Sequence, residues 1–557
     1  MWKFIRSVYY SFPVQLVVLH FKKFQVLLLF WFLLFSTVNG SFMVTFGANS
    51  LFLAPEYLGN VNAMSTAIVG AALGVFIMSW NITTFILFSR HFKFLATTTN
   101  PFLKYCINNS IIPLAFVLFY FYKGTHFAAT KELMGTWDVI WLILGFIFGL
   151  VSLILLSLLY FFRADKTIIR RMTPVINNPQ QYRTQFRHRG HKLHESRLIK
   201  VEWYLNSMTH VKKVRDVSHY SSEFIETMFS RHHFAAVLSI FIAFVFLIVL
   251  GFFLDNPLFQ LPASASIVIF FAVFIAVAGA FSYFLQSWSI PFVIVIFLVV
   301  NTLYRNNIID PTNKAYGINY TNSNERPKYD REGLMSLCTN ERLQLDKENM
   351  VRILENWKKR QTEEKPVMVI LNTSGGGTRS ATFTMNALQR LDSLSGGELM
   401  RKTFLITGSS GGMLGASYFR ELYRHKVKGE HINLTDKKYI DDISGDLLNP
   451  LFSSLVARDL ASPAHTFTIG NYNYVKDRGY AFEQKLNDNT RGVLNHQLKD
   501  YVEDEANAII PLMMFHPVIT RDGRKLIISS QPVSFLMKPV TDTAISIDPD
   551  AIDFAAL

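Results

Sequence analysis

The stretch that decides the fold runs from Val367 to Tyr423. It opens with Val367-Met368-Val369-Ile370-Leu371, turns through Gly375-Gly376-Gly377-Thr378-Arg379, and continues from Ser380 to Leu391. The pattern then repeats: Thr403-Phe404-Leu405-Ile406-Thr407, Gly408-Ser409-Ser410-Gly411-Gly412, and Met413 to Tyr423. Each short apolar run predicts a buried strand. Behind the first, Ala381, Met385, Leu388 and Leu391 recur at helical spacing. Strand, glycine turn and helix, twice over, is the pattern of a parallel α/β sheet. Ligands in such sheets gather where strand ends meet helix starts. Both glycine turns fall there.

Gly408-x-Ser410-x-Gly412 fits a nucleophile elbow. A sharp strand-to-helix turn exposes the serine hydroxyl, and the glycines around it avoid clashes. The helix that follows directs its first amides at the serine, where they stabilise negative charge on a substrate oxygen. Gly375-Gly376-Gly377 lies 35 residues before Ser410 and offers bare amides at a helix start, an anion hole. A phosphate-binding loop would need Gly-x4-Gly-Lys-Ser/Thr, and the lysine is missing. A dinucleotide fold would need Gly-x-Gly-x-x-Gly, and the spacing fails.

Gly375-Gly376-Gly377-x-Arg379 followed by Gly408-x-Ser410-x-Gly412 resembles the patatin-like phospholipases, over residues 366–557. The resemblance implies a three-layer α/β domain with a mostly parallel sheet that hydrolyses acyl esters of lipids. It implies Ser410 as nucleophile, Gly375, Gly376 and Gly377 as oxyanion donors, Arg379 as a support of that loop, and an aspartate as base. No cofactor or metal is implied, and membrane lipids are the implied substrate. Ser380 stands where the family usually has glycine. The family carries its aspartate in Asp-Gly-Gly or Asp-Gly-Ala. The one Asp-Gly here is Asp522-Gly523, whose flanks read as a β-hairpin with the turn at its tip. Asp477, in Lys476-Asp477-Arg478-Gly479, is no closer to the motif. The catalytic aspartate is therefore expected beyond residue 557, which makes the domain incomplete at its C-terminus. His516, near a strand end, offers a different base.

Outside this domain the chain changes character. Half of its 557 residues are apolar, 17% are charged, and the formal charge is +14. Residues 1–304 carry 23 Lys+Arg against 10 Asp+Glu, a net of +13, and residues 305–557 carry 32 against 31, a net of +1. A basic excess confined to the apolar half marks loops of a membrane protein rather than a nucleic-acid face. Cys106 and Cys338 are the only cysteines, too few for a disulfide scaffold or a Cys-rich zinc site.

Seven segments are apolar enough to predict spans: 25–46, 64–88, 105–122, 138–162, 234–254, 264–285 and 289–304. The first reads as a signal-anchor that stays in place. The last two, parted by Gln286-Ser287-Trp288, form a hairpin or a span with a re-entrant segment. Basic residues put the N-terminus, the loop at Arg90 and Lys93, and the loop 163–233 in the cytoplasm. The count of six or seven spans decides the side of the C-terminal half. No span has a charged residue in its middle, which argues against an ion-coupled transporter. Gly70-x-x-x-Gly74 and Gly145-x-x-x-Gly149 predict close helix packing within one bundle. His188, His191 and His194 share a metal-like spacing, but Arg187, Arg189 and Lys192 among them would repel a cation.

The expected organisation is a multi-pass membrane domain at 1–304, a juxtamembrane linker and helix at 305–365, and the α/β domain at 366–557. Met350, Val351, Ile353, Leu354 and Trp357 predict a surface helix over 347–360, packed on that domain. Leu447 to Ala461, rich in leucine, reads as a site cover, a lipid contact or a buried helix. The expected function is a membrane-anchored serine lipid acyl hydrolase. The alternative is a non-catalytic lipid-binding or signalling protein on the same fold.

Overall fold

The computed structural model describes residues 2–44, 47–88, 91–177, 199–216, 241–242, 245–246, 248–249, 251–306, 314–320, 322, 328–460, 465–538 and 549–557. The chain forms two compact units. One comprises Met1–Lys314, Leu448–Phe467 and Asn473–Ala481, and the other Ala315–Leu447, Thr468–Tyr472 and Phe482–Leu557. The boundary is therefore not a single cut near residue 304.

The first unit is helical: α1 (Phe12–Lys23), α2 (Gln25–Asn39), α3 (Ala63–Phe88), α4 (Ile111–Thr130), α5 (Thr136–Asn177), α6 (Ala263–Phe284) and α7 (Ser289–Arg305), with short helices between them. A small ribbon pairs β1 (Trp203–Leu205) with β2 (Val211–Lys213) antiparallel. Among the described residues four helices are long and apolar enough to cross a membrane: α3, α4, α6 and the Thr136–Tyr160 part of α5. The bent pair α1 and α2, 102° apart, makes a fifth if counted as one span.

The expected first span, 25–46, is shorter than its hydropathy suggests. Gly40, at φ +78°, ends α2 after Asn39 with a left-handed cap. The third, 105–122, breaks at Asn109, and α4 begins at Ile111 with Pro113 in its first turn, where proline is tolerated. The stretch 289–304 forms α7, a separate helix of 17 residues after the turn at Gln286–Trp288. Most of 234–254, and His188, His191 and His194, lie outside the described residues.

The helix α3 is the centre of this unit, with 78% of its most apolar window buried. Its Gly70 meets the Gly145/Gly149 motif of α5. A Cβ at Gly70 would lie 2.1 Å from the Phe146 carbonyl oxygen, and one at Gly149 would lie 1.9 Å from that of Ala67. Small residues thus let the two backbones touch. Thr66 donates to the Leu142 carbonyl (2.9 Å) across the same seam, and Ser79 donates to that of Ala272 on α6 (2.6 Å). One buried polar cluster links His20 Nε2 to Asn109 Oδ1 (2.8 Å) and Asn109 Nδ2 to Asn81 Oδ1 (3.0 Å).

The segment read as a cover or lipid contact is a buried helix of this first unit. Leu448–Ser454 places Phe452 in a cluster with Leu51 and Ala263, and Val456 joins the main helical core. Asn449 Oδ1 accepts from the Ala263 amide (2.7 Å), satisfying an orphan donor at the start of α6. Arg458, 2% exposed, donates to the Gly251 carbonyl and pairs with Asp255 (2.7 Å), which Lys476 also holds (2.6 Å).

The second unit is built on a five-stranded sheet of order β3-β4-β7-β8-β9. Its strands are β3 (Val369–Thr373), β4 (Thr403–Gly408), β7 (Leu512–Phe515), β8 (Lys525–Ser529) and β9 (Ala551–Asp553), while β5 (Thr466–Ile469) and β6 (Tyr472–Val475) make a separate ribbon. β3, β4 and β7 run parallel, β8 runs against β7, and β9 runs parallel to β8, so the sheet is mixed. β3 is an edge strand with alternate residues exposed, not a strand buried on both faces. The expected surface helix is longer, α8 (Asn340–Lys359), with Thr339 as its N-cap. Then come α9 (Gly377–Leu394) after β3 and α10 (Ser410–Val427) after β4. Strand alternation feeds two cores. Ile406 and Met513 join Ala381, Met385, Met413 and Phe419 on one face, while Leu405 and Met514 join Met350 of α8 and Ile527 on the other. Val351 and Leu354 of α8 face outward.

A buried charge network fixes the far half of α10. Arg420 pairs with Glu505, which also accepts from Ser530. Arg424 pairs with Glu421 (2.9 Å) and Asp504 (2.6 Å). Both guanidinium groups lie over the Tyr501 ring, at 4.6 and 4.9 Å. Removing one partner of a buried pair leaves an uncompensated charge. Arg420→Ala should therefore destabilise this unit by about 3–5 kcal/mol, read from denaturant unfolding followed by circular dichroism. In the helical unit, Gly149→Val should lower the melting temperature in detergent, while Gly124→Val, at a position facing open space, should leave it unchanged.

Candidate active site

The site is assembled by two strand-to-helix turns lying side by side. β4 ends at Gly408, Ser409 is extended, and Ser410 opens α10 at φ +58°. A non-glycine residue there costs of order 1–3 kcal/mol, and it persists because its surroundings determine it. Gly408 (φ +147°) cannot be replaced cheaply, since a Cβ would lie 2.1 Å from the Thr373 carbonyl oxygen on β3. Cβ atoms at Gly411 and Gly412 would lie 1.9 Å from the Gly377 oxygen and 2.4 Å from the Ser374 oxygen. All three glycines around the serine are thus demanded by the neighbouring turn as well as by the elbow.

The loop Gly375–Gly377 rests against the serine. A Cβ at Gly375 would lie 3.3 Å from Ser410 Cβ and 3.6 Å from its Oγ, so any side chain there would cover the hydroxyl. Gly375, Gly376, Gly377 and Ser410 are exposed. The Gly375 and Gly376 amides donate to no described backbone carbonyl, and the first amides of α10 have no intrahelical acceptor. The arrangement is an exposed hydroxyl flanked by the unused Gly375 and Gly376 N–H donors, one that can hold an anion or a developing oxyanion.

Arg379 is exposed and makes no hydrogen bond or ion pair with another described residue. Ser380 and Gly412 hold the loop. Ser380 Oγ donates to the Ser374 carbonyl (2.8 Å), and the Gly412 amide donates to the same oxygen (3.2 Å). Ser380 is thus a structural part of the turn.

No described carboxylate or imidazole hydrogen-bonds Ser410 Oγ. Asp522 lies on an exposed turn, where it accepts from the Tyr329 hydroxyl (3.0 Å) and pairs with Arg524 (3.0 Å). Asp477 accepts from the Tyr480 amide at the start of a helix (3.0 Å). His516 follows β7, and its amide donates to the Gly408 carbonyl (2.9 Å), which brings it to the strand end next to the elbow. Its Nε2 lies 2.5 Å from Thr407 Oγ1, and its buried Nδ1 has no partner among the described residues. Burial, and secondarily the Lys525 charge, lower its pKa below the ordinary histidine value, so the ring is neutral at pH 7.

No metal-ligating cluster lies at the elbow among the described residues. No family model, curated protein or solved structure matches the chain.

The strain at Ser410 has a measurable consequence. Glycine tolerates positive φ and alanine does not. Ser410→Gly should be more stable than Ser410→Ala by about 1 kcal/mol, read from paired denaturant unfolding curves.

Proposed function

We propose that this chain is a membrane-anchored serine acyl hydrolase of patatin-like type, acting on the ester bonds of membrane lipids. One observation carries the reading: Ser410 at positive φ on a strand-to-helix turn, its hydroxyl exposed beside a loop of bare glycine amides. In this reading Ser410 Oγ attacks the ester carbonyl. The amides of Gly375, Gly376 and Gly377 hold the oxyanion, and a carboxylate takes the serine proton. The ester C–O bond breaks and the alcohol portion leaves with that proton; water then hydrolyses the acyl-serine, giving the free acid and restoring the serine hydroxyl. The four apolar helices support a multi-pass anchor, with exposed apolar side chains such as Phe148 and Leu156 facing lipid. Anchoring holds the site where its substrate is concentrated.

The test is the full chain in detergent or liposomes, with release of fatty acid from phospholipid and from a short-chain ester as the readout. Ser410→Ala should reduce both at least 10³-fold. Equal activity in the variant and the parent overturns the reading.

A second reading is a non-catalytic lipid-binding protein on the same fold. It is favoured by the absence of a hydrogen-bonded base at Ser410 among the described residues. A fluorophosphonate probe separates the two, since only an activated serine is labelled.

A further inference from the structure

The far end of α10 carries a second cluster unrelated to the elbow. Glu421 and His425 are four residues apart, so they share one face of the helix. His496, from the segment after the helix Arg478–Asn489, meets them there. Nε2 of His425 lies 3.6 Å from Glu421 Oε1, and Nε2 of His496 lies 3.5 Å from the same atom. The donor atoms of the three residues all lie within 4.8 Å of one another. In a tetrahedral ion with bonds near 2.0 Å, ligand atoms are about 3.3 Å apart. The cluster already has close to that spacing.

Two further observations point to a ligand. Glu421 is 1% exposed, and its Oε2 has no hydrogen-bond donor of good geometry. Nε2 of His425 is likewise buried and without a hydrogen-bond partner. Each imidazole also has a carboxylate at its other nitrogen. Glu430 Oε1 is 2.5 Å from His425 Nδ1, and Asp500 Oδ2 is 3.6 Å from His496 Nδ1. A proton on each Nδ1 leaves both Nε2 lone pairs directed at Glu421. Metal-binding histidines are commonly oriented in this way.

We propose that Glu421, His425 and His496 bind a divalent transition-metal ion of the zinc class, which clamps the outer end of α10 to the segment around His496. Two imidazoles and a carboxylate suit zinc and its neighbours, whereas calcium and magnesium take oxygen ligands. Arg424 is the nearest cation: it donates to the same Glu421 Oε1 (2.9 Å) and pairs with Asp504 (2.6 Å), which Lys428 also holds (2.9 Å), so Oε2 and the two imidazoles are the atoms left for the ion. Ser410 is 11 residues away on the same helix, roughly 16 Å along its axis. The ion therefore takes no part in chemistry at the elbow. It holds in place the helix that carries the serine.

The experiment uses the full chain in detergent, stripped with a chelator and titrated with Co²⁺. The expected result is one equivalent bound, with visible d–d bands that Zn²⁺ abolishes, and a melting temperature raised by saturating Zn²⁺. His496→Asn changes a partly exposed residue and leaves the helix intact. It should weaken Co²⁺ binding at least tenfold and remove the thermal shift. Glu421→Gln should do the same, and His210→Asn, on the ribbon of the helical unit, should change nothing. No d–d bands in the parent, or unchanged affinity in His496→Asn, overturns the proposal and leaves plain histidine–carboxylate pairs.

Discussion

Close approach of one backbone to another, with no side chain between them, is the constraint on which both units depend. In the helical unit it joins α3 to α5, where Gly70, Gly145 and Gly149 sit against carbonyl oxygens of the opposing helix. In the sheet unit it joins the two strand-to-helix turns, where Gly408, Gly411 and Gly412 sit against Thr373, Ser374 and Gly377. The second contact shapes the candidate site. It places the glycine loop over Ser410 and keeps the serine in a conformation that it would not adopt alone. The backbone geometry of one turn is constrained by the other, so the Ser410 hydroxyl and the amides beside it are positioned together.

The parts that were legible in the sequence follow from local rules. Both strand–turn–helix repeats were readable because apolar periodicity and glycine clusters are short-range signals. Their boundaries moved by only a few residues, with the first strand at Val369–Thr373 and the elbow helix reaching Val427. The roles of single residues were less legible. Ser380 looked like a departure from a family pattern and proved to hold the loop, because a hydroxyl can reach the Ser374 carbonyl where a glycine has no atom to do so.

What sequence could not show was partnership at a distance. Leu448–Ser454 was legible as a leucine-rich helix, and periodicity gives a helix a face but not a neighbour. Its neighbour is a helix almost 190 residues earlier, joined through Asn449 and the Ala263 amide. The same holds for Glu421 and His425. Their spacing is visible in the chain, but His496 lies 71 residues on, and only the fold brings it back. The first expected span ends earlier than read, for a different reason. Hydropathy reports apolar content, and Gly40 ended α2 regardless of the apolar residues beyond it.

The path of the chain between the units bears on how the protein is made. Residues 448–467 and 473–481 belong to the unit formed by the first 314 residues, although the chain between them is folded into the other. Synthesis runs from the N-terminus. The helical unit therefore waits for some 130 residues of sheet-unit sequence before its last pieces emerge, with the Ala263 amide and Asp255 lacking their final partners until then. Contacts of such long sequence separation form slowly. A ribosome that stalls or a protease that cuts anywhere between Lys314 and Leu448 would leave the bundle unfinished, so completion of the bundle reports that the elbow has already been translated.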